Sequence, residues 1–244
     1  PSIQQDAILI GGNVIQHAGL ISRHYAYKTA QYCCAAVSDG VSSSPKAEQA
    51  SKAVLNSVLA QSQTQTRIWL QKVQDDLSTA LASNSKTYGS SATLAAVSSS
   101  IPHGFVNIHH VGDSRVYLFR SYNQQWYALT KDHNFITEMQ QSGEIEIKED
   151  EQYASFYYML NHCFCADSLH EVPEFKPQEQ YLVEGDVLLI CSDGVHDVLE
   201  CTHWQPLLPE IPLKTWLTEM RNALHQNHAF DNASMILVRL ISKG

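Results

Sequence analysis

Five aspartates fall at or beside the ends of segments that read as strands. Asp6 precedes 7–10, Asp39 follows 32–38, Asp113 follows 105–111, Asp193 follows 187–191 and Asp231 precedes 234–241. Strand ends are where a rigid scaffold can hold side chains at a common site. Asp39-Gly40, Gly112-Asp113 and Asp193-Gly194 also set a glycine beside the carboxylate. A residue without Cβ permits a tight turn and lets a backbone carbonyl approach a ligand. Any one of these pairs is an ordinary turn dipeptide, but together they form a set. Carboxylates without an accompanying histidine and cysteine set favour a hard cation with oxygen ligands, magnesium or manganese rather than zinc.

Composition narrows the partners. The 244 residues carry 16 Lys and Arg against 25 Asp and Glu, a formal charge of -9, and 44% of them are apolar. That is enough for a substantial core, while the acidic balance argues against nucleic acid, whose phosphate backbone needs a basic face. The six cysteines, Cys33, Cys34, Cys163, Cys165, Cys191 and Cys201, form no Cys-x-x-Cys pair. They read as reduced thiols of a cytoplasmic protein, and Cys191, near Asp193, as a buried strand thiol rather than a nucleophile. No apolar run approaches the roughly 18–20 residues that span a bilayer, and residues 1–6 show no secretory pattern. The sequence reads as soluble, with no membrane partner.

The elements that must position the aspartates alternate unevenly. Strands are expected at 32–38, 91–97, 105–111, 115–120, 187–191 and 234–241, from their β-branched, aromatic and small apolar residues. Helices are expected at 45–60, with Ala47, Ala50, Val54 and Val58 on one stripe, and at 68–82, with Trp69, Val73 and Leu77 at helical spacing. A third falls at 213–228 and a shorter one at 134–141. Two successive helices inserted between strands fit α+β layers better than a doubly wound parallel sheet. One domain over 1–244 is the economical reading, with the polar, Glu-rich stretch 132–159 as an excursion from it.

In order along nearly the whole chain stand QQDA (4–7), VSDGVSSS (37–44), GSSATL (89–94), HVGDSRVYLFR (110–120), LTKDHN (129–134), CSDGVHDVL (191–199) and DNAS (231–234). This series resembles the bacterial PPM-type, or type 2C, metal-dependent protein serine/threonine phosphatases. The resemblance implies a four-layer α-β-β-α sandwich of two stacked, mostly antiparallel sheets flanked by helices. It implies two Mn2+ or Mg2+ ions, with a possible third. Asp39 would bridge the two ions with the Gly40 carbonyl on the first, Asp193 and Asp231 would complete the second, and Asp6 would hold water in the metal shell. Asp113, with Asp193, would hold the third ion. The implied reaction is hydrolysis of phosphoserine or phosphothreonine by a metal-activated water. The implied partners are a phosphorylated protein and a cognate protein kinase, which can be fused to such a domain. The stretch 132–159, with TEMQQSGEI (137–145), resembles the family's flap beside the active site.

The chain departs from the pattern in three places. Pro1 stands where members carry a phosphate-gripping arginine, and Val41-Ser42-Ser43-Ser44 where many carry a general-acid histidine. Leu160-Asn161-His162-Cys163-Phe164-Cys165 replaces a Leu-Thr-Arg-Ala-Leu-Gly block. Arg23 and Arg115 are the nearest arginines by motif position, Arg115 equally a structural residue of its turn; His133 and His196 read as packing residues. Two alternatives follow: a catalytically impaired pseudophosphatase that binds phosphoproteins, and a regulatory domain whose aspartates hold calcium without an EF-hand loop.

Overall fold

The computed structural model describes residues 3–17, 33–64, 68–99, 104–146 and 153–241. In chain order the elements are β1 (Ala7–Ile10), β2 (Asn13–Ile15), β3 (Cys34–Ser38), α1 (Ala47–Thr64), α2 (Leu70–Leu81), β4 (Ser91–Ala92), β5 (Leu94–Ser99), β6 (Phe105–Val111), β7 (Arg115–Arg120) and β8 (Gln125–Ala128). There follow α3 (Phe135–Ser142), β9 (Phe164–Cys165), β10 (Gln178–Tyr181), β11 (Val187–Cys191), the single turn α4 (Asp193–His196), α5 (Leu213–Gln226) and β12 (Met235–Arg239).

The strands form a six-stranded sheet ordered β10-β6-β5-β3-β1-β2, a four-stranded sheet ordered β12-β11-β7-β8 and a small β4-β9 pair. Neighbouring strands run antiparallel throughout. Side chains alternate across a strand, so each sheet feeds two cores. From the large sheet, Ala35, Val37, Val97 and Ile108 meet Val116, Leu118, Leu188 and Ile190 of the small one. Ala36, Leu94, Ala96 and Val111 face the other way, onto Val54 and Val58 of α1 and Val73 and Leu77 of α2. On the far side Tyr117, Phe119, Val187 and Leu189 pack under Trp216, Met220 and Leu224 of α5. The layers therefore run helices, sheet, sheet, helix, as expected.

Three expectations change. The segment 91–97 is broken at Thr93 into β4 and β5, which belong to different sheets. Trp69 is not on the buried stripe of its helix: it flanks α2 in an extended conformation and is 65% exposed. The last strand is Met235–Arg239 and the last helix ends at Gln226, both shorter than read. The start of the strand expected at 32–38 lies outside the described residues, as do Pro1 and Arg23.

Register gathers the aspartates at one end of the sandwich. Ala7 pairs with Ser38, so Asp6 and Asp39 sit side by side on the large sheet. Cys191 pairs with both Arg115 and Met235, which brings Asp113, Asp193 and Asp231 to the same end of the small sheet.

Candidate active site

Asp39 is fixed through its backbone. Thr93 donates its N–H to the Asp39 carbonyl at 2.8 Å, and the Asp39 N–H donates to Thr93 Oγ1 at 3.1 Å. Ser38 Oγ donates to the Thr93 carbonyl at 2.6 Å, and Thr93 Oγ1 pairs with Ser114 Oγ at 2.7 Å. These bonds turn the Thr93 backbone toward Asp39 and interrupt the strand expected there. The next residue must be glycine, because a Cβ on Gly40 would lie 2.3 Å from the Ala47 carbonyl oxygen at the start of α1. Gly194 is held the same way, its Cβ position being 2.0 Å from the Asn232 oxygen.

Asp6 is 1% exposed. Ser192 Oγ donates to its Oδ2 at 2.8 Å and accepts the Ser234 N–H at 3.0 Å, while the preceding residue, Gln5, donates its N–H to Asn232 Oδ1 at 2.8 Å. One network thus ties the start of β1 to the ends of β11 and β12. Ser192, Thr93 and Asn232 were not singled out from sequence, although all three lie inside motif blocks. The available signal was a hydroxyl or amide adjacent to an aspartate or within its turn.

Side-chain contacts join Asp39 to both Asp6 and Asp193. Burial, then the charges of Asp6 and Asp193, pushes the Asp39 carboxyl well above the ordinary carboxylate range. Burial also raises Asp6 and Asp193, with Asp39 hydrogen bonding opposing the rise in each. Asp113 is pushed up to about 8, first by burial and then by the charges of Asp193 and Asp132. Asp231 bears on Asp193 through its charge. The structure therefore brings Asp6, Asp39 and Asp193 into contact, with Asp113 and Asp231 flanking Asp193. Among the described residues no three acidic, imidazole or thiol groups already converge as a ready-made metal shell; the contacts are pairwise.

The residues nonetheless fit divalent cations. Oδ1 of Asp6 and Oδ1 of Asp193 are buried without any hydrogen-bond partner, an arrangement that native proteins avoid unless something else satisfies the atoms. Two carboxylates about 4 Å apart repel by roughly 4 kcal/mol at an effective dielectric near 20. Such a cluster must take up protons or a cation. Asp6, Asp39, Asp193 and Asp231 supply the oxygen donors that Mn2+ and Mg2+ prefer.

The surrounding polar residues are structural. Arg115 forms a bidentate pair with Asp132, both bonds at 2.6 Å, and donates to Tyr117 Oη at 3.1 Å. Its guanidinium is thereby committed to Asp132 and Tyr117. His196 donates from Nε2 to the Asp113 carbonyl at 3.0 Å. His133 stacks on Phe175 with ring centroids 4.2 Å apart and accepts the Gly112 N–H at Nδ1. Asn134 caps α3 by accepting the Thr137 N–H at 3.0 Å. Cys191 is fully buried, and burial pushes its thiol far above the usual range. All six cysteines are free. No described helix is long and apolar enough to cross a membrane.

Sequence comparison with curated proteins gives no match. Solved structures share the fold. Serine/threonine phosphatase Stp1 from Staphylococcus aureus matches with a TM-score of 0.76 at 21% identity, covering 98% of this chain and 90% of that one. The serine/threonine phosphatase PstP/Ppp of Mycobacterium tuberculosis matches at 0.73 and 19%, covering 97% and 98%. The catalytic domain of PstP in complex with two manganese ions matches at 0.66 and 18%, covering 97% and 100%. A family model described as protein phosphatase 2C matches residues 22–238. The chain is a protein serine/threonine phosphatase belonging to that family, the PPM type.

Proposed function

We propose that the chain hydrolyses phosphoserine and phosphothreonine in proteins in a metal-dependent reaction at the Asp6–Asp39–Asp193 cluster, with Asp231 and Asp113 completing the cation sites. The observation that carries this reading is the buried, mutually repelling set of carboxylates with unpartnered oxygens, at the end of a sandwich shared with phosphatases.

Asp39, between Asp6 and Asp193, would serve both cations, and the Gly40 carbonyl would serve the first. Asp193 and Asp231 would hold the second, Asp6 would orient water by hydrogen bonding, and Asp113 with Asp193 would offer a weaker third position. The count of two ions is supported by the fold shared with PstP, crystallised with two manganese ions. When bound, the cations supply a nucleophile deprotonated near neutral pH and offset charge on the phosphoryl oxygens. No cysteine takes part, and no phosphoenzyme is required. We read 1–244 as one phosphatase domain with 132–159 as its flap, acting in the cytoplasm against a bacterial protein kinase. In the described part of that stretch, Phe135 of α3 stacks on Phe156 with centroids 5.4 Å apart.

The test is phosphate release from a phosphothreonine peptide with manganese, with magnesium, and with excess chelator. Release that requires the metal supports the reading. Metal binding without release would support a phosphoprotein-binding role instead.

A further inference from the structure

Asp6, Asp231, His17, Arg221 and His225 all line one cleft of about 480 Å3. Arg221 and His225 lie one turn apart on α5, both exposed, beside the face that buries Trp216, Met220 and Leu224. His17 stands where the β1–β2 ladder, extended two residues past the Ile8–Ile15 pair, would set it opposite Asp6. One cleft therefore joins acidic groups of the candidate active site to a guanidinium and two imidazoles.

Charge gives that cleft a purpose. A phosphorylated segment is anionic, and it must approach a carboxylate cluster on a chain of formal charge -9. Arg115 is paired with Asp132 and Arg120 with Asp186. The Arg221 side chain makes no ion pair or hydrogen bond among the described residues. A guanidinium presents a planar fork of donors that matches an oxyanion. Here it is exposed enough to meet a ligand and lies in the same cleft as Asp6.

We propose that Arg221, with His225 one turn away and His17 in the same cleft, is the anion-recognition group of this cleft. It holds an oxyanion of the phosphorylated substrate, either the phosphoryl group itself or an acidic side chain next to it. This rests on the phosphatase reading above. It makes Arg221 a determinant of substrate affinity on an element where sequence motifs gave no sign of one.

The experiment compares wild type with Arg221→Ala, Arg221→Lys and the double variant His17→Gln/His225→Gln at saturating manganese. The substrates are para-nitrophenyl phosphate, a phosphothreonine peptide with neutral flanks, and the same peptide with glutamate flanks. Arg221→Ala is expected to raise KM about tenfold or more, the scale of one lost charge-assisted hydrogen bond, with Arg221→Lys recovering part of the loss. A rise for all three substrates identifies the phosphoryl group; a rise for the acidic peptide alone identifies the flanking carboxylate. Unchanged KM for all three overturns the proposal, and unchanged KM in the double variant removes the histidines from that role. Manganese affinity, read by calorimetry, should not move. Calorimetric binding of a phosphonate analogue of the peptide separates the two failures. A wild type that never releases phosphate defeats the phosphatase reading, whereas phosphonate binding unaltered by Arg221→Ala defeats this one.

Discussion

The Ser192 hydroxyl donates to Asp6 at 2.8 Å while receiving the Ser234 N–H at 3.0 Å, so one small side chain joins the first strand of one sheet to two strands of the other. Removing it should act on both the metal site and the fold. Ser192→Ala is expected to lower manganese affinity about 10- to 100-fold, the usual effect of losing an outer partner of a ligand. It should also destabilise the chain by roughly 1–3 kcal/mol by leaving buried groups unpaired. Calorimetry and urea unfolding measure the two; an unchanged manganese affinity would show that Asp6 needs no such support.

The repulsion within the cluster makes a prediction about pH. Asp113 sits at about 8 in the fold against an ordinary 3.8, and Asp6, Asp39 and Asp193 are raised as well. Between those values the folded chain binds more protons than the unfolded one, so stability falls as pH rises. In chelator the protein should unfold at lower urea near about pH 8 than near about pH 5.5. Manganese at about 100 times its dissociation constant should restore about 2.7 kcal/mol. Asp39→Asn should stabilise the metal-free chain near about pH 8, because it removes the central like charge. Equal urea midpoints for the variant and wild type in chelator would mean that the carboxylates do not repel.

The histidines behind the site have the opposite sign. Burial, then the charges of His133 and Arg115, pushes His110 down to about 3; burial and His162 push His133 down to about 4. The unfolded chain takes up these protons first, so their contribution is present above the ordinary 6.5 and lost as pH falls toward the folded values. For His110 the loss by about pH 5 is roughly 2 kcal/mol, and less for the half-buried His133. Imidazole resonances followed by NMR should show His110 still neutral at about pH 5. Protonation there near about 6.5 would contradict the packing described.

Gly40→Ala places a methyl group 2.3 Å from the Ala47 carbonyl oxygen. Backbone rather than a flexible side chain must yield, so a loss of roughly 1–3 kcal/mol is expected. Asp39 should shift with it, weakening manganese binding. Calorimetry showing wild-type manganese affinity in a folded Gly40→Ala protein would separate Asp39 from this turn.

The five aspartates and most of the strands that carry them were legible because burial on both faces writes long apolar runs, as in β11, where every residue from Val187 to Cys191 is buried. Strands β8 and β10, with sequences QWYA and QEQY, are edge strands largely open to solvent and carry no such run. Only pairing with Tyr117–Arg120 and Phe105–Ile108 defines them. The break at Thr93 was likewise hidden, since its cause is a hydrogen bond to Asp39 across 54 positions of sequence. Trp69 fits helical spacing but lies outside the helix, where its backbone N–H donates to Gln61 Oε1 at 2.7 Å. Arg221 reads from sequence as one more polar residue on a helix; its place in the Asp6 cleft exists only in three dimensions.

The most direct test compares initial rates of phosphate release from a phosphothreonine peptide by wild type and Asp39→Asn at saturating manganese. Asp39 lies between Asp6 and Asp193, so its loss should disable both cation positions at once. The rate is predicted to fall at least about 1,000-fold, a loss of roughly 4 kcal/mol in transition-state stabilisation, in a protein that remains folded. Release within about threefold of wild type would contradict the assignment of this cluster as the catalytic metal centre.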